Sequence, residues 1–408
     1  MTSTRILYDG WPLVYEAYGP AAMHLQALLA HLPAQVEPVV ALPGPAPDWL
    51  LNTRIQVQPT PESDYGRLLW EQRSLPQIAR QADAQVLHMT TPNAPLLGGV
   101  ASVVSPGAFE ETGAFSGLQS RAAWKRPQEM RSFAARLRLS LANGGLARAR
   151  AIFWPEDVPE PELPIPVVRL PPVVHPAFTS SDHGPILPEN PVRESNGHSR
   201  GERKTGLEFN EQARILAAFD LPETYVLYHG PTSPFWLLRL LESWQWANGP
   251  IGAEYPLVIL GMPEGRRETL DEIRRQFDPE ETVRALPAVP VEVLPAVYRG
   301  CSVYFHPAPL SPWGDPVRNA LACGKPVVAT ESRLADAIVG PAAYLVPGED
   351  TRALGAALLT VIVEEEVAGN LAESAWQRSV AWHGPAFGQA LFEAYRRILS
   401  QGEPVSEI

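Results

Sequence analysis

Residues 311–330 read SPWGDPVRNALACGKPVVAT, the make-up of a ligand loop that feeds a helix. Pro312, Trp313, Gly314 and Pro316 punctuate the loop, a helical run follows, and Gly324-Lys325-Pro326 turns the chain into an apolar strand. Pro316 suits a first helical turn. Free N–H groups at such a helix start suit an anion. Ser311 and Asn319 carry no charge, and Asp315 supplies a carboxylate. Other chemistries lack their residues. No G-x-G-x-x-G follows the first strand, and G-x-x-x-x-G-K-[ST] and G-x-S-x-G do not occur. The nine histidines show no pair at metal-ligand spacing. No residue is assigned as acid, base or nucleophile.

The loop must be positioned by short apolar runs that alternate with helical patterns. Strands are expected at 5–8, 37–42, 54–58, 85–89, 100–105, 151–154 and 167–170, then at 225–228, 256–260, 282–286, 302–306, 326–329 and 343–346. Helices are expected at 21–31, 68–81 and 386–399, the last with Phe387, Leu391, Ala394, Tyr395 and Ile398 on one face. Continuous apolar strands between helices mean parallel sheets covered on both faces. Two such series imply an α/β protein with two doubly wound, Rossmann-like domains and a cleft between them. The expected division is 1–178, 179–206 as a flexible linker and 207–385, with 386–400 crossing back to the first domain. The linker TSSDHGPILPENPVRESNGHSRGERKTG offers almost nothing to bury.

The remaining bounds are broader. At 408 residues the chain is comfortable for two domains, and a net charge of −12 argues against a nucleic-acid partner. Cys301 and Cys323 form no disulfide framework, so a reduced, cytoplasmic setting is expected. No run reaches the length of a membrane span. One region is basic: SRAAWKRPQEMRSFAARLRLSLANGGLARAR, 120–150, with Met130, Phe133, Ala134, Leu137 and Leu141 on one helical face and Arg131 and Arg138 off it. Such a helix either lies on an anionic membrane surface or packs its apolar face on its own core.

Several stretches together resemble a family. ILYDGWPLVYEAYGPAAMHLQALLAHL is similar to the first strand, acceptor-side loop and helix of the GT-B retaining glycosyltransferases that use nucleotide sugars. LPETYVLYHG looks like the strand opening their second domain, and ALACGKPVVAT, IVGPAAYLVPGED and ALFEAYRRIL match its donor-side helix, closing strand and final crossing helix. The resemblance implies a GT-B fold, a nucleotide-diphosphate sugar donor, an acceptor that the sequence does not name, and neither metal nor cofactor. It places donor contacts at Gly230, Ser311, Trp313, Gly314, Asp315 and Asn319, and an acceptor-side glycine at Gly19. Membrane docking through 120–150 fits the lipid acceptors of many relatives.

The motifs also depart from that family. Its paired glutamates fall on Ser311 and Asn319, its diphosphate-holding Arg and Lys on Pro231 and Trp236, and its N-domain histidine on Ser105. Asn319 can still bond ribose hydroxyls, because an amide both donates and accepts. Arg239, Arg266 or Arg267 are candidates for the missing charge. An active transferase and a non-catalytic sugar- or nucleotide-binding relative therefore both remain open. His88 and His306 end strands at the ligand edge, where a hydrogen-bonded structural histidine is the simpler role. Lys325 is expected to mark a helix end, and WLLRLLESWQW to supply helix core.

Overall fold

A computed structural model describes residues 3–17, 19–50, 53–97, 99–107, 133–163, 165–179, 214–278, 280–287, 289–347, 350–383 and 385–400. Its thirteen strands fall on the thirteen expected runs. Strands β1 (Thr4–Asp9), β2 (Val36–Leu42), β3 (Arg54–Val57), β4 (Val86–Met89), β5 (Ala101–Val104), β6 (Ala151–Pro155) and β7 (Val167–Leu170) form one sheet in the order β3-β2-β1-β4-β5-β6-β7. Strands β8 (Val226–Tyr228), β9 (Leu257–Ile259), β10 (Val283–Ala285), β11 (Val303–His306), β12 (Val327–Thr330) and β13 (Ala343–Val346) form the other, in the order β10-β9-β8-β11-β12-β13. Every pairing is parallel. Each sheet therefore reverses its strand order once, between β1 and β4 and between β8 and β11. In open α/β sheets ligands bind at that point, beyond the carboxyl ends of the strands.

Helices α1 (Trp11–Tyr15), α2 (Pro20–Ala30), α3 (Asp64–Leu69), α4 (Leu75–Gln81) and α5 (Phe133–Arg148) accompany the first sheet. Helices α6 (Pro234–Ile251), α7 (Arg267–Phe277), α8 (Leu294–Gly300), α9 (Asp315–Ala322), α10 (Arg333–Val339), α11 (Thr351–Val363) and α12 (Glu365–Ser379) accompany the second. Helix α13 (Ala386–Ser400) returns to the first sheet, where Phe387, Leu391 and Tyr395 share a core with Tyr8, Leu25 and Phe153. Of the expected linker only Thr179 is described; 180–206 lie outside the described residues.

Two expectations need correction. The helix expected at 68–81 is interrupted: Trp70–Ser74 is a π turn, closed by the Leu75 amide donating to the Trp70 carbonyl. Pro76 explains it, since a proline inside a helix has no N–H and clashes one turn back. The basic helix is rotated from its expected setting. Arg138 points inward against Glu71, whereas Phe133 is 74% and Leu137 36% exposed. Its segment 120–132 lies outside the described residues. The tryptophan-rich run packs as expected, with Trp236 and Trp244 buried in α6 and Trp246 at the surface under Arg352.

Candidate functional site

The loop after β11 is tightly built. Gly314 has φ +58°, the left-handed region that glycine enters at low cost, and its amide donates to both the carbonyl and the hydroxyl of Ser311, each at 3.0 Å. In this conformation the Gly314 N–H is committed within the loop, and Pro316 has none, so fewer amides face a ligand than the sequence suggests. Asp315 opens α9. Trp313 is fully buried in the core shared with α2 and α13, lying flat on His24 with ring centroids 4.3 Å apart. Asn319 is 4% exposed on α9, and its amide makes no side-chain hydrogen bond among the described residues. Gly324 ends the helix at φ +67°, and the Lys325 amide donates to Ala320, which fits the helix-end role of that stretch.

The other residue expected at the donor site, Gly230, lies at the switch point of the second sheet. Gly230 follows β8, and a Cβ there would meet the Tyr228 ring at 2.9 Å. The Tyr228 hydroxyl donates to the Pro231 carbonyl at 2.6 Å, and α6 starts at Pro234 without a side-chain cap. His306, at the end of β11, stacks on Tyr228 and Tyr304, and burial holds its imidazole down to about 4. Trp236 is core, not a cation substitute. Arg239 pairs with Glu242 and Arg267 with Glu264.

The buried cation nearest Asn319 in sequence is Arg318, which is fully buried. Its Nη1 and Nη2 donate to the Asp157 carboxylate at 2.9 and 2.8 Å, and its Nε donates to the Trp313 carbonyl at 2.6 Å. Asp157 follows β6, so this pair joins the carboxyl edge of one sheet to that of the other.

On the facing edge two imidazoles converge on the hydroxyl of Ser105, the residue that the resemblance sets against the family's N-domain histidine. His88 Nε2 lies at 2.6 Å and His24 Nε2 at 3.0 Å. The chain continues from His88 Nδ1 to the Tyr395 hydroxyl at 2.5 Å and on to Tyr8 at 3.1 Å. Burial keeps both rings neutral, holding His88 down to about 3 and His24 well below the usual range, the latter with a smaller push from His88. Gly19 caps the start of α2, and the helix start packs so closely on Gly107 that a Cβ on Gly107 would sit 2.5 Å from Ala21 Cα.

Next along that edge, Asp9 Oδ1 accepts from the Trp70 indole at 2.8 Å and the Trp11 amide at 3.0 Å. Burial raises the Asp9 carboxyl, against the opposing pull of the Trp70 bond. The π turn also aims Glu71 at Arg138, with Nη2–Oε1 at 2.7 Å, and Arg67 joins this pair to Glu16. Thr90 and Thr91, after β4, and Trp313 keep buried polar atoms with no hydrogen-bond partner among the described residues. A separate groove of about 560 Å³, lined by Ser102, Arg148 and Arg150, lies at the opposite edge of the first sheet. Among the described residues no group of three metal-ligating side chains occurs, and no helix is long and apolar enough to cross a membrane.

The sequence pointed to the 311–319 loop, Gly19 and Gly230. It missed His24, Asp157, Arg318, Asp9, Glu71 and Arg138, whose partners are remote along the chain. Only the charged residues inside apolar helical patterns, Glu71 and Arg318, were signals that could have been used.

This architecture is shared with solved glycosyltransferases of the GT-B type. A sucrose-phosphate synthase from Thermosynechococcus elongatus superposes with a TM-score of 0.64 at 16% identity, covering 98% of this chain and 100% of that one. Anabaena HepE, in complex with UDP-glucose, gives 0.61 at 15% identity, covering 96% and 99%. Residues 238–378, within the second sheet and its helices, match the family described as glycosyl transferases group 1. The O-antigen chain mannosyltransferase B of Escherichia coli is 28% identical over 153 residues, 37% of this chain and 40% of that protein. A D-inositol 3-phosphate glycosyltransferase of Corynebacterium urealyticum is 29% identical over 153 residues, 36% of each. The matched stretch is thus well under half of these curated relatives.

Proposed function

We propose that the chain transfers a sugar from a nucleoside-diphosphate donor in the second domain to an acceptor at the carboxyl edge of the first. The observation that carries this is Asn319. It is a buried amide without a side-chain partner on the donor helix of a group 1 glycosyltransferase domain. Its amide is available both to donate to and to accept from ribose hydroxyls. With retention, the bond from the anomeric carbon to the donor phosphate breaks as that to the acceptor oxygen forms. The acceptor proton passes to the leaving phosphate oxygen, so no protein nucleophile is needed.

A non-catalytic, nucleotide-binding relative is favoured by one feature. Ser311 stands where the family has a carboxylate, and its hydroxyl is already used by Gly314. Release of nucleoside diphosphate from uridine, guanosine and adenosine diphosphate sugars separates the two. Turnover of any donor supports transfer, whereas tight binding without turnover favours the second.

We further propose peripheral membrane contact through α5, where exposed Phe133 and Leu137 accompany exposed Arg136. Arg136→Gln with Phe133→Ala should lower flotation with anionic vesicles severalfold, more at low salt. Equal flotation of both proteins refutes the contact.

A further inference from the structure

The donor loop belongs to the second domain in sequence, yet its two largest side chains find their partners in the first. Arg318 forms a two-pronged pair with Asp157 while its Nε holds the Trp313 carbonyl, and its guanidinium lies 4.6 Å from the Trp382 ring centre. Trp313 rests on His24 at an interplanar angle of 19°. His24 is held in turn by Ser105, and Ser105 by His88 and the crossing helix through Tyr395. Two contacts from different elements of the first domain, the turn after β6 and helix α2, thus converge on residues 313–318.

We infer that Asp157 and His24 are positioning residues for the donor loop. Through Arg318 and Trp313 they fix the conformation that presents Asn319, so that nucleotide affinity depends on the two domains being together. This rests on the donor reading given above.

An exposed ion pair would have little leverage, because solvent replaces it at small cost. Arg318 has none of that escape, being fully buried. Without the Asp157 charge its guanidinium must leave the interior or remain unbalanced, and in leaving it releases the Trp313 carbonyl. The Ser311–Gly314 turn then loses its anchor at one end. Asn319 is the next residue on the same helix, so it moves with Arg318. A planar fork matched to a carboxylate also has a defined direction, which a lysine or an amide reproduces poorly.

The test uses the full chain, first screened against uridine, guanosine and adenosine diphosphates. With whichever binds, Asp157→Asn should weaken calorimetric affinity at least tenfold, and Asp157→Glu should restore it to within about threefold. The unliganded Asp157→Asn protein should also show a larger radius of gyration by X-ray scattering. Arg54→Gln, at an exposed pair on the edge strand β3, serves as the control that changes neither. Undiminished affinity in Asp157→Asn overturns the inference. If no nucleotide binds the unmodified protein, the donor reading falls. Scattering alone then decides, an unchanged radius sinking the domain clamp and an increase sustaining it. Should Asp157→Asn fail to fold, His24→Ala is measured in its place against the same outcomes.

Discussion

The two halves of the molecule share one strand order and treat their carboxyl edges differently. The first half lines its edge with committed groups: Glu71 on Arg138, Asp9 on Trp70, and the chain from His24 through Ser105 and His88 to Tyr395. The second half stacks Tyr228, Tyr304 and His306 beside Gly230 and leaves the Asn319 amide without a side-chain partner. A mostly committed edge, with Thr90 and Thr91 still unpartnered, thus faces one where the Asn319 amide is uncommitted. The difference teaches that conserved strand order sets where a ligand can sit, while the side chains after each strand decide which edge is framework and which is receptor.

The largest effect should come from breaking the framework. Glu71→Ala leaves Arg138 as a buried cation without its carboxylate and should cost about 3–5 kcal/mol in urea unfolding. Asn319→Ala removes no intramolecular side-chain hydrogen bond and should stay within about 1 kcal/mol. Similar losses for both variants would erase the distinction between the two edges.

Acid should act on both edges, through His24 and His88 on the first and His306 on the second, with a smaller effect per residue. Burial holds His88 down to about 3 and His306 to about 4, against about 6.5 for a histidine in the unfolded chain. Between those values the unfolded chain binds protons that the folded one refuses. Stability is therefore fully present above about pH 6.5 and drains as pH falls through this window, by up to about 1.4 kcal/mol per histidine per unit. Unfolding free energies measured from pH 6.5 to 5 should show this slope, and His88→Asn and His306→Asn should each flatten it. A slope untouched by either variant would mean that these imidazoles are solvated.

The strands were legible because a parallel sheet buried on both faces writes each strand as an apolar run closed by Pro, Gly or Asp. Residues 326–329 and 343–346 are examples. The loop after β11 was legible as a loop because Gly314 and Pro316 punctuate it locally. What escaped was long-range pairing. Asp157 and Arg318 are 161 residues apart, and His88 and Tyr395 307 apart. No local period records such contacts. The orientation of α5 escaped for a related reason: the Glu71 carboxylate that meets Arg138 lies 67 residues away, and no local period records it. The π turn escaped because its register shift leaves the surrounding helical pattern almost intact.

The proposed transfer requires that the uncommitted Asn319 amide serve a nucleotide. Calorimetry of uridine, guanosine and adenosine diphosphates against the unmodified protein, Asn319→Ala and Asn319→Glu tests it directly. At least one nucleotide should bind, Asn319→Ala should weaken it by about 1–3 kcal/mol, roughly fivefold to 150-fold, and Asn319→Glu should bind as well or better. No binding by the unmodified protein at millimolar nucleotide, or equal affinity in Asn319→Ala, would contradict it.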